Sequence, residues 1–439
     1  MNVNIKTLGC PKNLVDSEVI AGHILNGENS LTEDPSEADV VILNTCAFIR
    51  DAVRESEEEI SHLSNVRGRF IVTGCLPQRF KRVFRGCDFA VGLGEYNFWK
   101  ELGRGNLPES HLLVSSNNYI PDDRNRVLLT PSHYAYLRLA EGCSNRCSYC
   151  TIPYIRGPYR SKRMEDVVTE AKHLGNTGVR ELVLIAQDTT NYGIDIYGEY
   201  KLPEILQRLS VIDGIDWIRL LYAHPAHFTD SLIDVIGRNE KIVKYVDLPI
   251  QHISNSILNS MRRKVTRERI EELIRRLRGI PGMHIRSEVM VGYPGEGEKE
   301  FEELIDFLLA ASFDSLGLFK FSPEKEAPIY RSGISFDLLS TGEIEERYDI
   351  LVELARQLSY ERNLSLVGKT LRIIVDRPGE GRTQGHSPDI DGVVFFEGDA
   401  RTGEFANIRI TEAEDFDLCG VLTNRSSMRV PVPRNQSSS

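Results

Sequence analysis

Short β-branched segments alternate with helical patterns over most of this chain, and this alternation favours an α/β fold. In the first part, the predicted strands are residues 5–8, 40–43, 70–73 and 89–91, and the predicted helices are residues 14–25, 48–63 and 78–84. A strand that is regularly followed by a helix is typical of an open, mostly parallel sheet. We therefore predict that residues 1–115 form an N-terminal open parallel α/β sheet.

A second strand–helix series follows a polar, turn-rich segment, residues 106–131, which we interpret as a linker. Its predicted strands are residues 136–140, 181–186, 217–222, 245–249, 287–291 and 315–321, and its clearest helices are residues 164–174, 203–209, 267–277 and 299–311. Six such units predict a partial (β/α)6 barrel over residues 130–362, with its chemistry at the C-terminal ends of the strands.

The C-terminal part changes character. Residues 343–366 predict one long helix, and the strands predicted after it are residues 369–375, 392–396, 405–410 and 418–422. Their number and length predict a small all-β, OB-like barrel over residues 365–433. The Ser-, Pro- and Arg-rich segment 424–439 predicts a frayed end.

Composition indicates the cellular setting. Hydrophobic residues make up 41% of the chain and charged residues 27%, as in ordinary soluble proteins. There is no apolar run of about 18 residues and no signal-peptide pattern, so we expect a cytoplasmic protein without a membrane partner. The net charge of −11 argues against a surface that binds nucleic acid throughout. Eight cysteines in a reducing compartment favour metal binding or catalysis over disulfides.

Three of the cysteines share one position relative to the predicted strands. Cys10, Cys46 and Cys75 each lie two or three residues after a strand and just before a helix. Such strand ends share one edge of an open parallel sheet, where ligands bind, so we expect the three thiols to converge. Helix N-termini should also favour their thiolate form. The alternative is three buried cysteines placed by chance.

The segment EGCSNRCSYCTIPYIRG, residues 141–157, contains Cys143, Cys147 and Cys150 in C-x3-C-x2-C spacing. It follows the first predicted barrel strand and should therefore lie at the mouth of the barrel. Iron–sulfur clusters usually take four thiolates, so three would leave one iron open. Structural zinc is the alternative, but it normally takes four ligands, and the nearest further candidate is His133, ten residues upstream. Cys87 and Cys419 are predicted to be core residues.

The C-x3-C-x-aromatic-C motif, in which Tyr149 is the aromatic residue, resembles that of the radical S-adenosylmethionine (SAM) enzymes. The resemblance implies that Cys143, Cys147 and Cys150 hold a [4Fe–4S] cluster whose open iron is chelated by SAM. It also implies that cleavage of SAM gives a 5′-deoxyadenosyl radical, which abstracts an unactivated hydrogen. The protein then orients the cofactor and excludes competing reactions.

The sequences GCPKN, NTCAF and TGCLPQ around the N-terminal cysteines are similar to those of the methylthiotransferase family, and the likeness extends over the whole chain. It implies that Cys10, Cys46 and Cys75 hold a second [4Fe–4S] cluster, whose open iron carries the sulfur to be inserted. One SAM then donates the methyl group and another supplies the radical. It also implies a reductant such as flavodoxin or ferredoxin, a sulfur donor, and a TRAM domain at the C-terminus.

Two branches of this family differ in substrate. One modifies adenosine in transfer RNA, and the other modifies the β-carbon of an aspartate in a small-subunit ribosomal protein. The transfer RNA enzymes typically read GCQMN, whereas GCPKNLVDSE in this chain resembles the ribosomal-protein branch. The same is true of NTCAFI, TPSHYAYLRLAEGC, AQDTTNYG, YVDLPIQHIS and VGYPGE. The likeness implies a protein aspartate substrate, with transfer RNA as the alternative.

The charge of the C-terminal part bears on that choice. Residues 368–422 contain eleven acidic and six basic side chains. A barrel that binds transfer RNA should be basic, whereas an acidic one is complementary to a basic ribosomal protein. The alternative is an ordinary solvated face.

Further residues are candidate SAM contacts. Gln187, with Asp188, ends the second barrel strand and is placed to bind the methionine part of SAM. Arg156, with Arg160, follows the cysteine loop and is placed to meet the SAM carboxylate.

The segment VGYPGE contains two further candidates, Gly292 and Glu296, and follows the fifth barrel strand. Its glycines would let the backbone approach the adenosine, although a tight turn explains them equally well. Gln251 and His252 end the fourth strand, and His252 is interpreted either as catalytic or as structural.

Overall fold

The structure, a computed structural model, describes residues 1–25, 29–116, 118–119, 123–331 and 338–425. The chain divides into two compact units, the first from Met1 to Ala355 and the second from Arg356 onward. Within the described residues, the first unit contains two six-stranded sheets and the second a closed five-stranded barrel. None of the described helices is long and apolar enough to cross a membrane.

The N-terminal sheet is entirely parallel, in the order β2-β1-β3-β4-β5-β6. Its strands are β1 (Asn2–Thr7), β2 (Ser30–Leu31), β3 (Val40–Thr45), β4 (Arg69–Gly74), β5 (Phe89–Val91) and β6 (Leu112–Leu113). Its helices are α1 (Pro11–Ile24), α2 (Arg50–Leu63), α3 (Cys75–Phe80) and α4 (Tyr96–Gly103), with a 3-10 turn at Pro35–Glu37. The predicted strands are all present, and so are the helices predicted at 14–25 and 48–63. The helix predicted at 78–84 lies earlier, at Cys75–Phe80, because Lys81 takes a left-handed conformation, φ +50°, that ends it. The two-residue edge strands β2 and β6 were not predicted, since two residues carry no periodicity.

Both faces of this sheet are covered by apolar side chains. Along β3, Val40 and Ile42 pack in the core on one face, while Val41 and Leu43 pack in the core on the other. This explains why β3 is a continuous apolar run without alternation, as expected of a buried parallel strand.

The second sheet is also parallel, in the order β14-β13-β12-β11-β10-β7. The strands of this region are β7 (Tyr134–Arg138), β8 (Ala140–Glu141), β9 (Arg160–Ser161), β10 (Glu181–Ile185), β11 (Trp217–Leu220), β12 (Ile242–Asp247), β13 (His284–Val291) and β14 (Ser315–Lys320). Sequential strands are neighbours, as the predicted six-unit partial barrel requires. Strands β8 and β9 form a separate antiparallel pair.

The helices of this region are α5 (Ile152–Ile155), α6 (Met164–Asn176), α7 (Ile194–Tyr197), α8 (Leu202–Ser210), α9 (Asp230–Arg238), α10 (Asn255–Ser260), α11 (Arg267–Arg278), α12 (Glu298–Ala311) and α13 (Pro328–Arg331). Two 3-10 turns, Thr189–Asn191 and Pro225–His227, follow β10 and β11.

The predicted linker forms buried ion pairs with a helix of the N-terminal sheet and with the first strand of the second sheet. Arg126 donates to Glu18 of α1 at 2.9 Å, and the carboxylate of Asp123 accepts from Arg138 of β7 at 2.6 Å. Its polarity reflects these buried pairings, which sequence spacing does not reveal.

The second unit contains a closed barrel in the order β15-β16-β17-β19-β18. A long helix, α14 (Thr341–Leu364), begins in the first unit and precedes this barrel. The strands of the barrel are β15 (Thr370–Arg377), β16 (Glu380–Thr383), β17 (Val394–Glu397), β18 (Phe405–Ala413) and β19 (Leu418–Arg425). Residues 426–439 of the predicted frayed end lie outside the described residues. The α/β class and the small β-barrel are confirmed, while the boundaries 1–115, 130–362 and 365–433 stay predictions.

Candidate active site

The first cysteine group lies at the carboxyl ends of three neighbouring parallel strands. Cys10 follows β1 and caps α1, Cys46 follows β3, and Cys75 follows β4 as the first residue of α3. Burial, together with the nearby Cys10, raises the pKa of Cys46 to about 11. Burial likewise raises the pKa of Cys75 to about 12, with contributions from both other thiols. The three sulfur atoms are therefore close enough to interact electrostatically.

These pKa values correct one expectation. Helix N-termini were expected to favour thiolate at this edge, but for Cys46 and Cys75 burial outweighs that effect. Without a bound cation these two groups are thiols at neutral pH. A metal cluster would have to displace their protons, so its binding should release protons.

A glycine allows the close approach of the first two loops. Gly9 has φ +87°, and a Cβ there would lie 2.7 Å from the Cβ of Cys46. Asn13 fixes the same loops, because its Nδ2 donates to the carbonyls of Leu8 at 2.8 Å and Thr45 at 3.1 Å.

Gly9→Ala should therefore displace Cys10 from Cys46. We expect about 1–3 kcal/mol of destabilisation from the steric overlap, beyond about 1–2 kcal/mol for the left-handed backbone. Iron bound after anaerobic reconstitution should fall from about eight to about four atoms per chain. The matched control is Gly105→Ala, where φ is +83° but nothing lies within 4 Å of a new Cβ. Equal iron and equal destabilisation in both variants would contradict this account.

The second cysteine group occupies the loop between β8 and α5. Cys143 donates its N–H to the carbonyl of Gly157 at 3.1 Å, and Cys150 donates to the carbonyl of Cys147 at 3.1 Å. Burial raises the pKa of Cys143 to about 12, and it also raises the pKa of Cys150, with Cys147 and Cys143 contributing. The thiols of this triplet therefore also interact electrostatically with one another.

An arginine that the sequence analysis missed lies against this group. Arg263 Nη1 lies 3.6 Å from the Sγ of Cys147 and 3.5 Å from the hydroxyl of Tyr149, and Nη2 bonds to the carbonyl of Pro249. Tyr149 itself packs edge-on against Tyr293. No spacing relates position 263 to the cysteine motif, so only the fold reveals this contact. An N–H donor at a sulfur ligand stabilises its anionic form.

The residues suit iron–sulfur clusters better than structural zinc. The backbone carbonyl of His133 accepts from Arg180 and Glu181 at the amino end of β10, away from the cysteine loop. Among the described residues, no three His, Cys, Asp or Glu side chains are arranged around a single metal ion. Each triplet instead offers three buried or half-buried thiols. A cluster takes one thiolate per iron, and both triplets fit that requirement.

Arg156 bonds to residues that lie close in sequence to each of the two cysteine groups. Its buried guanidinium donates to Glu141 at 2.9 Å, to the Oδ1 of Asn13 at 2.6 Å and to Asp16 at 3.0 Å. We expected a partner for the SAM carboxylate here, but the structure places Arg156 on these three partners. Arg160 bonds to backbone carbonyls, including that of Tyr119 at 2.8 Å. Contact of either arginine with SAM stays a prediction.

Gln187 retains a free acceptor near the second group. Its Nε2 donates to Glu141 at 2.7 Å, while its buried Oε1 has no hydrogen-bond partner in the described part of the chain. Asp188, by contrast, accepts from Asn145 at 2.7 Å and from His227 at 2.8 Å. Burial opposes ionisation of Asp188, but the hydrogen bond from His227 and other contacts lower its pKa to about 2.

Glu296 holds its own loop. It accepts from the N–H of Gly292 at 3.1 Å and from Arg347 of α14 at 2.7 Å. Gly292 has φ +77°, and a Cβ there would lie 2.8 Å from Ile344, so the tight-turn interpretation fits. Burial lowers the pKa of His252 to about 3, and its Nδ1 accepts from the N–H of Ser254 at 3.0 Å. A neutral, structural histidine is the better interpretation.

The two remaining cysteines lie apart from both triplets in the sequence. Cys87 bonds through its sulfur to the carbonyl of Phe84 at 3.1 Å and packs against the core. Cys419 lies on β19, partly exposed.

Comparison with known proteins identifies the class of this fold and site. Residues 137–308 match the radical SAM superfamily, residues 2–90 match the uncharacterized protein family UPF0004, and residues 367–422 match the TRAM domain. Two solved structures of the radical SAM methyltransferase TsrM from Kitasatospora setae share the fold, with TM-scores of 0.54 and 0.55 at 16% and 15% identity. They cover 75% of this chain and 77% and 75% of their own. The chain is thus a radical SAM protein.

Curated relatives give the family within that class. The relative from Clostridium tetani is 41% identical over 96% of this chain and 98% of its own length. One from Thermoanaerobacter sp. is 41% identical over 95% and 99%, and one from Geobacter sulfurreducens is 42% identical over 95% and 98%. All three are ribosomal protein uS12 methylthiotransferases RimO. The chain belongs to this methylthiotransferase family, which confirms the resemblance drawn from the sequence.

Proposed function

We propose that this enzyme transfers a methylthio group to the β-carbon of an aspartate residue in ribosomal protein uS12, in the cytoplasm. One observation carries the proposal: two separate triplets of cysteines lie in one compact unit, and the buried Arg156 bonds both to Glu141, two residues before Cys143, and to Asn13, three residues after Cys10. Two thiol groups of this kind provide places for two different cofactor tasks. The name shared by the relatives supports uS12 as the substrate.

Each cysteine triplet is assigned to one of the two clusters. Cys143, Cys147 and Cys150 would hold one [4Fe–4S] cluster, and Cys10, Cys46 and Cys75 would hold the other. The cluster at Cys143, Cys147 and Cys150, with SAM bound, would supply the radical that abstracts hydrogen, as in other radical SAM enzymes. Arg263 donates toward the sulfur of Cys147, and Gln187 Oε1 offers an acceptor to an ammonium group.

The acidic C-terminal barrel supports a basic protein partner. Glu397, Glu412 and Glu414 are exposed on or beside its strands. Negative charge of this kind steers a basic partner at long range. A reductant such as flavodoxin or ferredoxin and a sulfur donor complete the proposed set of partners.

Neutralising these charges should slow docking of the substrate. We expect the triple variant Glu397→Gln, Glu412→Gln and Glu414→Gln to bind uS12 about three- to tenfold more slowly at low salt, with the difference shrinking as ionic strength rises. Stopped-flow measurement of the association rate checks this.

The matched control neutralises three exposed acids of the first unit, Glu55, Glu58 and Glu302. Its association rate should stay close to that of the wild type. Equal slowing in both triple variants would show that the net charge of the protein, and not the position of the charges on the barrel, sets the association rate.

A competition experiment tests the function itself. The anaerobically reconstituted enzyme is given SAM, sulfide, a reductant, purified uS12 and bulk transfer RNA together. We expect mass spectrometry to find a methylthio group on one aspartate-containing peptide of uS12 and none on the nucleosides. Modified adenosine with unmodified uS12 would refute the proposal in favour of the transfer RNA substrate. No 5′-deoxyadenosine at all would contradict a radical SAM reaction.

A further inference from the structure

A buried lysine reaches from the first cysteine group to the mouth of the barrel. Lys12 lies in the first turn of α1, two residues after Cys10. Its Nζ donates to the carbonyl of Ala186 at 3.3 Å and lies 3.5 Å from the ring centre of Tyr222. Ala186 directly follows β10 and Tyr222 follows β11. The ammonium group therefore lies at the carboxyl ends of barrel strands, where substrates of such barrels bind.

Among the described residues, no carboxylate lies within ion-pairing distance of Lys12. Two lysines are buried within the described residues, Lys12 and Lys162. Lys162 forms ion pairs with Asp123 and Glu170. Lys12 forms no ion pair with a described carboxylate. The anionic groups that act on its charge are Cys10, two residues away and the strongest of them, and then Glu141 and Glu288. A buried ammonium is normally paired, so this arrangement is typical of a site that receives an anion.

Lys12 also has bonding capacity to spare. An ammonium has three N–H donors and no acceptor. One N–H donates to the carbonyl of Ala186. The contact with Tyr222 is a cation–π interaction with the ring face, so it is not a conventional hydrogen bond to an acceptor atom. Tyr222 has φ +58°, an uncommon conformation for a bulky residue, and such backbone strain clusters at binding sites.

We propose that Lys12 binds the side-chain carboxylate of the aspartate residue that is modified, and so selects aspartate over asparagine. The inference rests on the proposed function. The carboxyl carbon of aspartate is bonded directly to the β-carbon, so an ion pair at Lys12 holds the reacting carbon close by. Because Lys12 follows Cys10 so closely, that carbon is kept beside the first cysteine group, to which the sulfur is assigned.

Binding measurements on the reconstituted holoenzyme test this assignment. The probes are uS12 and a uS12 variant in which the modified aspartate, located by mass spectrometry, is replaced by asparagine. The wild-type enzyme should bind the aspartate form about 30-fold more tightly, as expected when one partner of a buried charge pair is removed. Lys12→Met should bind both forms equally, whereas Lys12→Arg should retain a preference for aspartate.

The matched control is Lys6→Met, which removes a half-exposed lysine of β1 that pairs with Glu59 and should leave the preference unchanged. A Lys12→Met enzyme that keeps the preference would overturn the proposal, and so would a loss of SAM cleavage without substrate, which would assign the lysine to SAM.

The outcomes remain separable. If Lys12→Met fails to assemble its clusters, the binding measurement on the wild-type enzyme still tests the assignment. Equal binding of the aspartate and asparagine forms of uS12 by the wild type overturns it. A wild-type enzyme that leaves uS12 unmodified refutes the proposed function instead. Modification of uS12 with no difference between the aspartate and asparagine forms refutes only the role of Lys12.

Discussion

Cys10→Ala should abolish methylthio transfer to uS12 while leaving 5′-deoxyadenosine formation in the absence of substrate at the wild-type rate. Cys10 belongs to the triplet on the N-terminal sheet, and the triplet that would bind SAM lies on a different loop, after β8. Loss of one ligand from the first group leaves the second chemically intact. We expect transfer to fall on the order of 10³-fold or more, as for removal of an essential catalytic group.

Two other cysteines give the controls for this prediction. Cys147→Ala, in the second group, should abolish both activities. Cys87→Ala removes a thiol that bonds to the carbonyl of Phe84 and belongs to neither triplet, so this variant should keep both activities. Product assays for 5′-deoxyadenosine and for modified uS12 on the same samples separate the cases. Equal loss of both activities in Cys10→Ala would contradict the division of tasks between the groups.

Arg138→Met should destabilise the first unit by about 3–5 kcal/mol, the usual cost of breaking a buried ion pair from one side. Arg138 is fully buried and bonds to Asp123 at 2.6 Å, Asp16 at 2.5 Å and Glu141 at 2.9 Å. Its removal leaves those carboxylates with fewer partners in a dry environment. Urea unfolding of the cluster-free protein measures the loss. Arg208→Met, which breaks a half-exposed pair with Glu204, should cost less than about 1 kcal/mol.

The loss of stability in Arg138→Met should depend on pH. Burial opposes ionisation of Glu141, but Arg156 and Arg138 lower its pKa to about 2. A lowered folded pKa contributes stability above the ordinary value near 4.5, and that contribution is lost as the pH falls toward 2. The difference between wild type and Arg138→Met should therefore shrink over that range. A constant difference, or a loss no larger than for Arg208→Met, would show that the network contributes little.

Much of the fold follows from local pattern. The strands of the two sheets are short apolar segments whose neighbours in sequence are also neighbours in space, so periodicity predicted them. The convergence of Cys10, Cys46 and Cys75 followed from parallel topology alone, because equivalent strand ends share an edge. Edge strands such as Ser30–Leu31 were missed because they are too short to show a pattern.

The contacts around the site could not be predicted in the same way. Arg263 reaches Cys147 across 116 positions, and Arg156 reaches Asn13 across 143, so no sequence spacing relates the partners. Arg156 was assigned to SAM because it follows the cysteine loop, but three other residues bond its guanidinium. For Cys46 and Cys75 the thiolate expectation was wrong, because a helix dipole effect is small beside the desolvation of a buried sulfur.

Isotope labelling of the product tests the central claim most directly. The reconstituted enzyme is incubated anaerobically with sulfur-34 sulfide, SAM deuterated in its methyl group, a reductant and uS12, and the digested protein is examined by tandem mass spectrometry. We expect one aspartate residue of uS12 to carry both the heavy sulfur and the deuterated methyl group, with the β-carbon as the site of attachment. A uS12 that remains unlabelled while transfer RNA takes up both isotopes would contradict it.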